Sequence, residues 1–215
     1  MTDYKYCPLC SHAEGALYFI DKHREYWQCQ HCQLVYVPAQ WHLSLPRERA
    51  EYDLHENTFE DQGYLQFLRR LGDPLLDRLV PNSRGLDVGC GPGPVLQKWL
   101  RSQGMQVEVY DKFYAPNQQV LLCQYDFVTA TEVVEHLSAP GLSLMAMWQL
   151  VRSQGQLALM TKRVKSVEAF AGWHYKNDPT HIAFFSEASF KWLAGHWQAE
   201  LTFADKDVVI FTKRT

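Results

Sequence analysis

From Arg84 onward the hydrophobic positions follow two alternating rhythms. RGLDVG, QVEVYD, DFVTATEV and GQLALMTKR are short runs dense in apolar and β-branched residues and read as strands. Between them, PVLQKWLRSQG and SAPGLSLMAMWQLVR space their apolar residues as helices do, the first closed by Gly104 and the second opened by Pro and Gly. Strands and helices in alternation predict a parallel sheet with helices on both faces. After these, SEASFKWLAGHW reads as a helix with Ser186 as N-cap and Ser189 three residues on, and QAELTF and DVVIFTKR are placed to pair as a hairpin whose last strand is antiparallel. Upstream, residues 63–80 have helical spacing interrupted by Gly72 and Pro74, which predicts two short helices. Leu45–Asp53 is charged and begins a helix, and the stretch from Pro38 to Pro46 is the expected linker.

The first 38 residues break this rhythm. They hold four of the six cysteines, as CPLC (Cys7, Cys10) and CQHC (Cys29, Cys32), among short β-prone stretches. Each CxxC can wrap a tight turn and present two thiolates to one tetrahedral ion, so the pattern predicts a small zinc ribbon. Four thiolates leave no open coordination position, which makes the zinc structural. Ligation would supply folding energy that so short a segment cannot obtain from its core. The bland alternative is unligated or redox-active thiols, and His12 or His31 could replace a cysteine. Cys90 and Cys123 are expected to be ordinary buried thiols. The expected organisation is a zinc ribbon over 1–40, a helical linker and lid over 41–82, and the main α/β domain over 83–215.

Composition narrows the function classes. The 215 residues are 47% hydrophobic with a formal net charge of −3, so a folded core is expected and a chain-wide attraction to polyanions is not. The opening residues lack a secretory signal, and no apolar run reaches the ~20 residues that span a bilayer. A cytoplasmic location without membrane insertion is the expectation, and reduced thiols there favour metal ligation over disulfides.

The most informative segment is Leu86-Asp87-Val88-Gly89-Cys90-Gly91-Pro92-Gly93, which runs from a predicted strand into a predicted helix. Its glycines allow a sharp turn and close approach to a ligand, and the helix after them presents free N–H groups. The spacing is DxGxGxG rather than the dinucleotide GxGxxG. Asp87, two residues before the first glycine, would repel a pyrophosphate but favour a ligand with an ammonium and a sulfonium. Asp111, ending the next strand, sits where an acid accepts hydrogen bonds from ribose hydroxyls.

LDVGCGPG, followed by VYD and by DFVTATEVVEHL, resembles the class I S-adenosylmethionine-dependent methyltransferase family over roughly residues 50–215. The whole chain is similar to a bacterial group of such enzymes that carries an N-terminal zinc ribbon. The resemblance implies a Rossmann-like, seven-stranded, mostly parallel sheet with an antiparallel last strand, and S-adenosylmethionine lying across the strand ends. It also implies that Asp87, Gly89, Cys90, Gly91 and Gly93 contact the methionine half of the cofactor, Asp111 the ribose, Lys112 and Phe113 the adenine, and Thr131, Glu132 and Val133 the methionyl ammonium. Only fourteen residues separate Asp111 from Asp126, too few for the family's usual helix and strand, so the adenine side is expected to be abbreviated.

Methyl transfer needs in-line positioning, plus a general base if the acceptor must lose a proton. His181, in the polar-aromatic stretch Trp173–His181, is the first candidate for that base and His174 the second, each with a hydrogen-bonded structural role as the alternative. His55 and Tyr64 are candidates for a lid over the cofactor. Glu135 and His136 stand at a helix entry, where Glu135 would favour the helix dipole. A small-molecule acceptor is the first expectation. An RNA methyltransferase docking through the ribbon is the second, opposed by a ribbon whose only cations outside the knuckles are Lys5, Lys22, His23 and Arg24. A binding protein that keeps the fold without the chemistry is the third. The acceptor and the oligomeric state leave no trace in the sequence.

Overall fold

The computed structural model describes residues 6–54 and 59–214. Its first three strands are Gly15–Ile20 (β1), Glu25–Cys29 (β2) and Val35–Tyr36 (β3), an antiparallel meander of the β-prone stretches. Helix α1 spans Leu45–Tyr52 with Pro46 in its first turn, where a missing N–H costs no helical bond. Helix α2 spans Gln62–Leu76 and is capped by the Asp61 side chain, which accepts from the Tyr64 amide at 3.0 Å. It is one continuous helix rather than the predicted two. Leu68, Leu71 and Leu75 form one buried face across the interruption, and Pro74 falls in the final turn, where little hydrogen bonding is lost.

The main body follows as β4 (Arg84–Val88), α3 (Val95–Ser102), β5 (Gln106–Tyr110), β6 (Tyr125–Thr131), α4 (Pro140–Leu150) and β7 (Val151–Met160). The chain ends through α5 (Val167–Ala171), β8 (Ala183–Phe184), α6 (Glu187–Trp197), β9 (Glu200–Phe203) and β10 (Val208–Thr212). Ser186 and Ser189 form the expected reciprocal cap of α6.

Six of these strands make the central sheet, in the order β5-β4-β6-β7-β10-β9. The first four are parallel, while β10 runs antiparallel to both β7 and β9. Side chains alternate across it with period two. Leu157, Leu159, Val209 and Phe211 pack with α4 and α6 on one face, and Ala158, Met160, Val208 and Ile210 pack with α2 and α3 on the other. The α/β architecture is therefore as expected, but among the described residues the sheet has six strands, not seven. The short segment between β5 and β6 forms only a bridge from Asp111 to Ala115 and a 3-10 turn, Gln118–Leu122, so no outer strand covers β5.

The ribbon is tied into this body by backbone pairing. Val35 and Tyr36 of β3 pair with Phe184 and Ala183 of β8, giving a second sheet ordered β1-β2-β3-β8. No described helix is long and apolar enough to cross a membrane.

Candidate active site

In an open parallel sheet, ligands bind beyond the carboxyl ends of the strands where the connections diverge. Here α3 leads from β4 outward to β5, whereas β6 lies on the other side of β4, and the loops after these three strands enclose a cavity of about 810 Å³. That is within the ~300–1,000 Å³ range of small-molecule sites. The glycine loop forms one wall. Gly89 has φ of +73°, and a Cβ there would lie 2.4 Å from Val133 Cγ2, so the turn and its packing on the β6 loop both demand glycine.

Asp111 joins two walls. Its Oδ2 accepts from the Gly91 amide at 3.1 Å, and its Oδ1 accepts from the amides of Phe113 and Tyr114 at 2.8 and 3.1 Å. Its lone pairs are therefore aimed before any ligand arrives. Asp87 does not line the cavity. It lies buried beneath the loop, with Oδ1 accepting from the Thr129 hydroxyl at 2.7 Å, and burial pushes its carboxyl up to about 7. Cys90 lines the cavity as a half-buried thiol pushed up to about 12 by burial, which makes it unreactive.

The other end of the cavity is polar. Glu132 sits at the end of β6 with φ of +51°, a left-handed backbone unusual for glutamate. Thr131 Oγ1, Glu132 Oε1 and Glu135 Oε2 are buried with no hydrogen-bond partner among the described residues. The Tyr175 hydroxyl lies between Glu135 Oε1 and Glu132 Oε2. Burial raises the pKa of both carboxyls, and the Glu132 charge raises that of Glu135 further, while Lys162 pulls Glu132 back down. His136 and His181 pack with ring centroids 4.7 Å apart. Burial lowers His136 to about 3, and burial also lowers His181 against the opposing pull of Asp178, so both imidazoles are neutral near pH 7.

Over the cavity, α1 is latched to the β5 loop. Lys112 Nζ donates to both Glu48 oxygens at 2.8 and 2.9 Å, and the Tyr114 hydroxyl donates to Asp53 at 2.5 Å. Tyr52, the last residue of α1, packs edge-on against His136 at 5.2 Å and so spans the two ends.

The ribbon brings Cys7, Cys10, Cys29 and Cys32 together, their Sγ atoms all within 4.8 Å of one another. The Cys7–Cys32 and Cys10–Cys29 separations are 3.5 Å, close to the ~3.8 Å that two thiolates on one zinc would have at ordinary Zn–S lengths. Such crowding cannot hold four charges alone. The Cys32 thiol lowers Cys7 to about 6, burial raises Cys10 to about 12, and Cys7 raises Cys32. The donor set fits a structural zinc. From the far side of the ribbon, the buried Arg24 donates to the carbonyls of Lys176, Asp178 and Pro179 at 2.6, 2.9 and 3.2 Å, and Lys176 Nζ is 3.1 Å from Asp21. These carbonyls belong to the loop that carries His181.

A family model described as a methyltransferase domain matches residues 59–202. The chain belongs to that methyltransferase family. The ubiquinone biosynthesis O-methyltransferase of Yersinia enterocolitica is 27% identical over 146 residues, covering 54% of this chain and 60% of the relative. The chain thus matches less than two thirds of that curated relative's length. A SAM-dependent methyltransferase from Archaeoglobus fulgidus has the same fold, with a TM-score of 0.52 at 15% identity over 69% of this chain and 93% of that one.

In this methyltransferase-family chain the cavity gathers most of the sequence candidates: Gly89, Cys90, Gly91, Gly93, Asp111, Lys112, Phe113, Thr131, Glu132, Val133, Tyr64 and His181 all line it. His174 does not. It is exposed, with Nε2 3.2 Å from Lys162 Nζ, because the 3-10 turn His174–Asn177 points Tyr175 inward instead. His55 falls outside the described residues. Glu135 is fully buried in a 3-10 turn, and α4 begins only at Pro140, so it faces Tyr175 rather than a helix dipole. Sequence reading missed Phe67 and Met147 in the cavity wall and the clamp made by Arg24. The polar-then-aromatic stretch after β7 pointed to the loop, but nothing in the sequence linked it to a ribbon arginine more than 150 positions away.

Proposed function

We propose that the protein is an S-adenosylmethionine-dependent methyltransferase acting on a small-molecule acceptor. The observation that carries this reading is the cavity whose one end is the glycine loop with Asp111 and whose other end is the His136–His181 pair. S-adenosylmethionine lies along β4 and β5, its ribose on Asp111, its adenine beside Phe113 and Lys112, and its methionyl ammonium near Thr131 and Glu132. Asp87 favours the cationic end through the loop. The cofactor supplies the electrophilic methyl. The acceptor sits under Tyr52, where His181 assists the loss of its proton. Zinc on Cys7, Cys10, Cys29 and Cys32 holds the ribbon, and through Arg24 the His181 loop. A cytoplasmic setting suits four ligating thiols.

The Yersinia relative is named for O-methylation in ubiquinone biosynthesis, which supports a small acceptor. RNA is disfavoured because Arg24 is buried in internal hydrogen bonds and is not free for phosphate. Incubation with labelled S-adenosylmethionine and a metabolite extract tests the reading. Label in a low-molecular-weight product is expected, and label found only in added RNA contradicts it.

A further inference from the structure

We propose that Glu135, His136 and His181 bind a divalent transition-metal ion at the acceptor end of the cavity, a second metal site separate from the four cysteines. One donor atom from each of the three lies within 4.8 Å of the others. Donors on one tetrahedral ion stand roughly 3.4 Å apart at usual Zn–N and Zn–O lengths, so the three side chains draw in around the ion to close the site.

Three further features point to a cation. The first is a shortage of donors. The Tyr175 hydroxyl has one proton and faces the carboxyl groups of both Glu135 and Glu132, and beside it the Thr161 hydroxyl, 3.2 Å away, is the other neutral donor. Glu135 Oε2 and Glu132 Oε1 are left buried without a hydrogen-bond partner, an arrangement that costs free energy unless a proton or a metal cation is bound there. The second is the pair of histidines. His136 Nδ1 is 3.2 Å from the Thr180 carbonyl and His181 Nδ1 is 2.6 Å from the Tyr175 carbonyl. A carbonyl only accepts, so each Nδ1 carries the proton and each Nε2 keeps a lone pair, the tautomer that metal-bound histidines adopt through such outer partners. Asp178 Oδ2, 3.7 Å from His181 Nε2, is too far to accept a hydrogen bond that would hold a proton on that nitrogen. The third is position: Glu132, His136 and His181 line the same cavity as the glycine loop.

Two imidazoles with carboxylate suit manganese, iron or zinc better than magnesium or calcium, which prefer all-oxygen shells. Three protein donors leave open positions on the ion. Its catalytic role rests on the methyltransferase reading above, although its binding does not. An acceptor hydroxyl bound at an open position would lose its proton to solvent near neutral pH, as zinc-bound water does with a pKa of ~7. The resulting oxyanion then attacks the sulfonium methyl. The O–C bond forms as the C–S bond breaks, and the C–S electron pair stays on sulfur as a neutral thioether. The acceptor class is therefore a hydroxyl compound able to bind a metal through oxygen, and His181 serves as a ligand rather than as the free base.

The test uses full-length protein with its cysteine-bound zinc in place, passed over a chelating resin and titrated with Mn²⁺ by electron paramagnetic resonance. Wild type is expected to bind one Mn²⁺ per chain. Glu135→Gln and His136→Ala should weaken binding by about 10–100-fold or more, and His196→Ala, on the exposed face of α6, should not. Calorimetry with S-adenosylmethionine on the same samples confirms that the variants are folded. Wild type that binds S-adenosylmethionine but neither Mn²⁺ nor added Zn²⁺ overturns the site, as do variants that bind Mn²⁺ like wild type. Wild type that binds Mn²⁺ but not S-adenosylmethionine overturns the cofactor reading and leaves the site standing.

Discussion

The two ends of the cavity are built differently. The cofactor end is assembled from loops that each follow a parallel strand, with its key groups in two short segments, 87–93 and 111–114. Its polar atoms are satisfied: every Asp111 oxygen and the Asp87 Oδ1 already accept a bond. The acceptor end joins the β6 loop to residues 175–181 and rests on the ribbon through Arg24. It leaves Thr131 Oγ1, Glu132 Oε1 and Glu135 Oε2 buried and unpartnered. A satisfied site is preorganised for a constant ligand, while unsatisfied groups mark where a ligand must complete the structure. On the proposed reading, cofactor recognition belongs to the sheet, and acceptor chemistry belongs to contacts between distant parts of the chain.

If that division holds, removing the ribbon's metal should damage one end and spare the other. Cys29→Ser is expected to lose the bound zinc, to lower Tm by on the order of 10 °C at about 2–4 °C per kcal/mol, and to abolish methyl transfer while S-adenosylhomocysteine still binds. Equal loss of binding and transfer would break the comparison. The next largest effect is at His181. His181→Ala should reduce kcat by ~10²–10⁴-fold with cofactor Kd unchanged, measured with the acceptor found by labelling.

The cofactor end should reveal itself by pH. Asp87 has a folded pKa of about 7, above the usual carboxylate value, because of burial. Its contribution to stability is present below the unfolded value of ~3.9 and is lost as pH rises through about 7. Cofactor binding has the opposite sign, since the cationic ligand selects the carboxylate. Affinity for S-adenosylmethionine should weaken as pH falls below about 7, and Asp87→Asn should flatten that dependence in calorimetry. The smallest effect is expected at the latch. Glu48→Ala removes a half-exposed ion pair with Lys112 worth roughly 0.2–1 kcal/mol, a few-fold in Kd.

The same division explains what could be read from the sequence. The strand-helix alternation after Arg84, the DxGxGxG loop and Asp111 are local patterns, and local periodicity and glycine spacing report them directly. Six strands instead of seven follows from the fourteen residues after Asp111, whose shortness was visible although its consequence for the strand count was not drawn. The sequence ranks His181 ahead of His174 without showing their burial, and one 3-10 turn sends His174 to solvent and Tyr175 and His181 inward. Glu135 read as a helix-terminal acid because nothing local reveals that Tyr175 lies against it. The α2 interruption was misread for the reverse reason: the burial of Leu68, Leu71 and Leu75 outweighs the local penalties of Gly72 and Pro74.

The central claim is that Asp111 and the glycine loop hold S-adenosylmethionine. Calorimetric titration of the wild-type protein and of Asp111→Ala tests it most directly. Saturable 1:1 binding by wild type is expected, with affinity in Asp111→Ala reduced by ~10-fold or more, since a hydrogen bond to a charged group contributes about 1.5–3 kcal/mol. No binding by wild type, or equal binding by both proteins, would contradict the account.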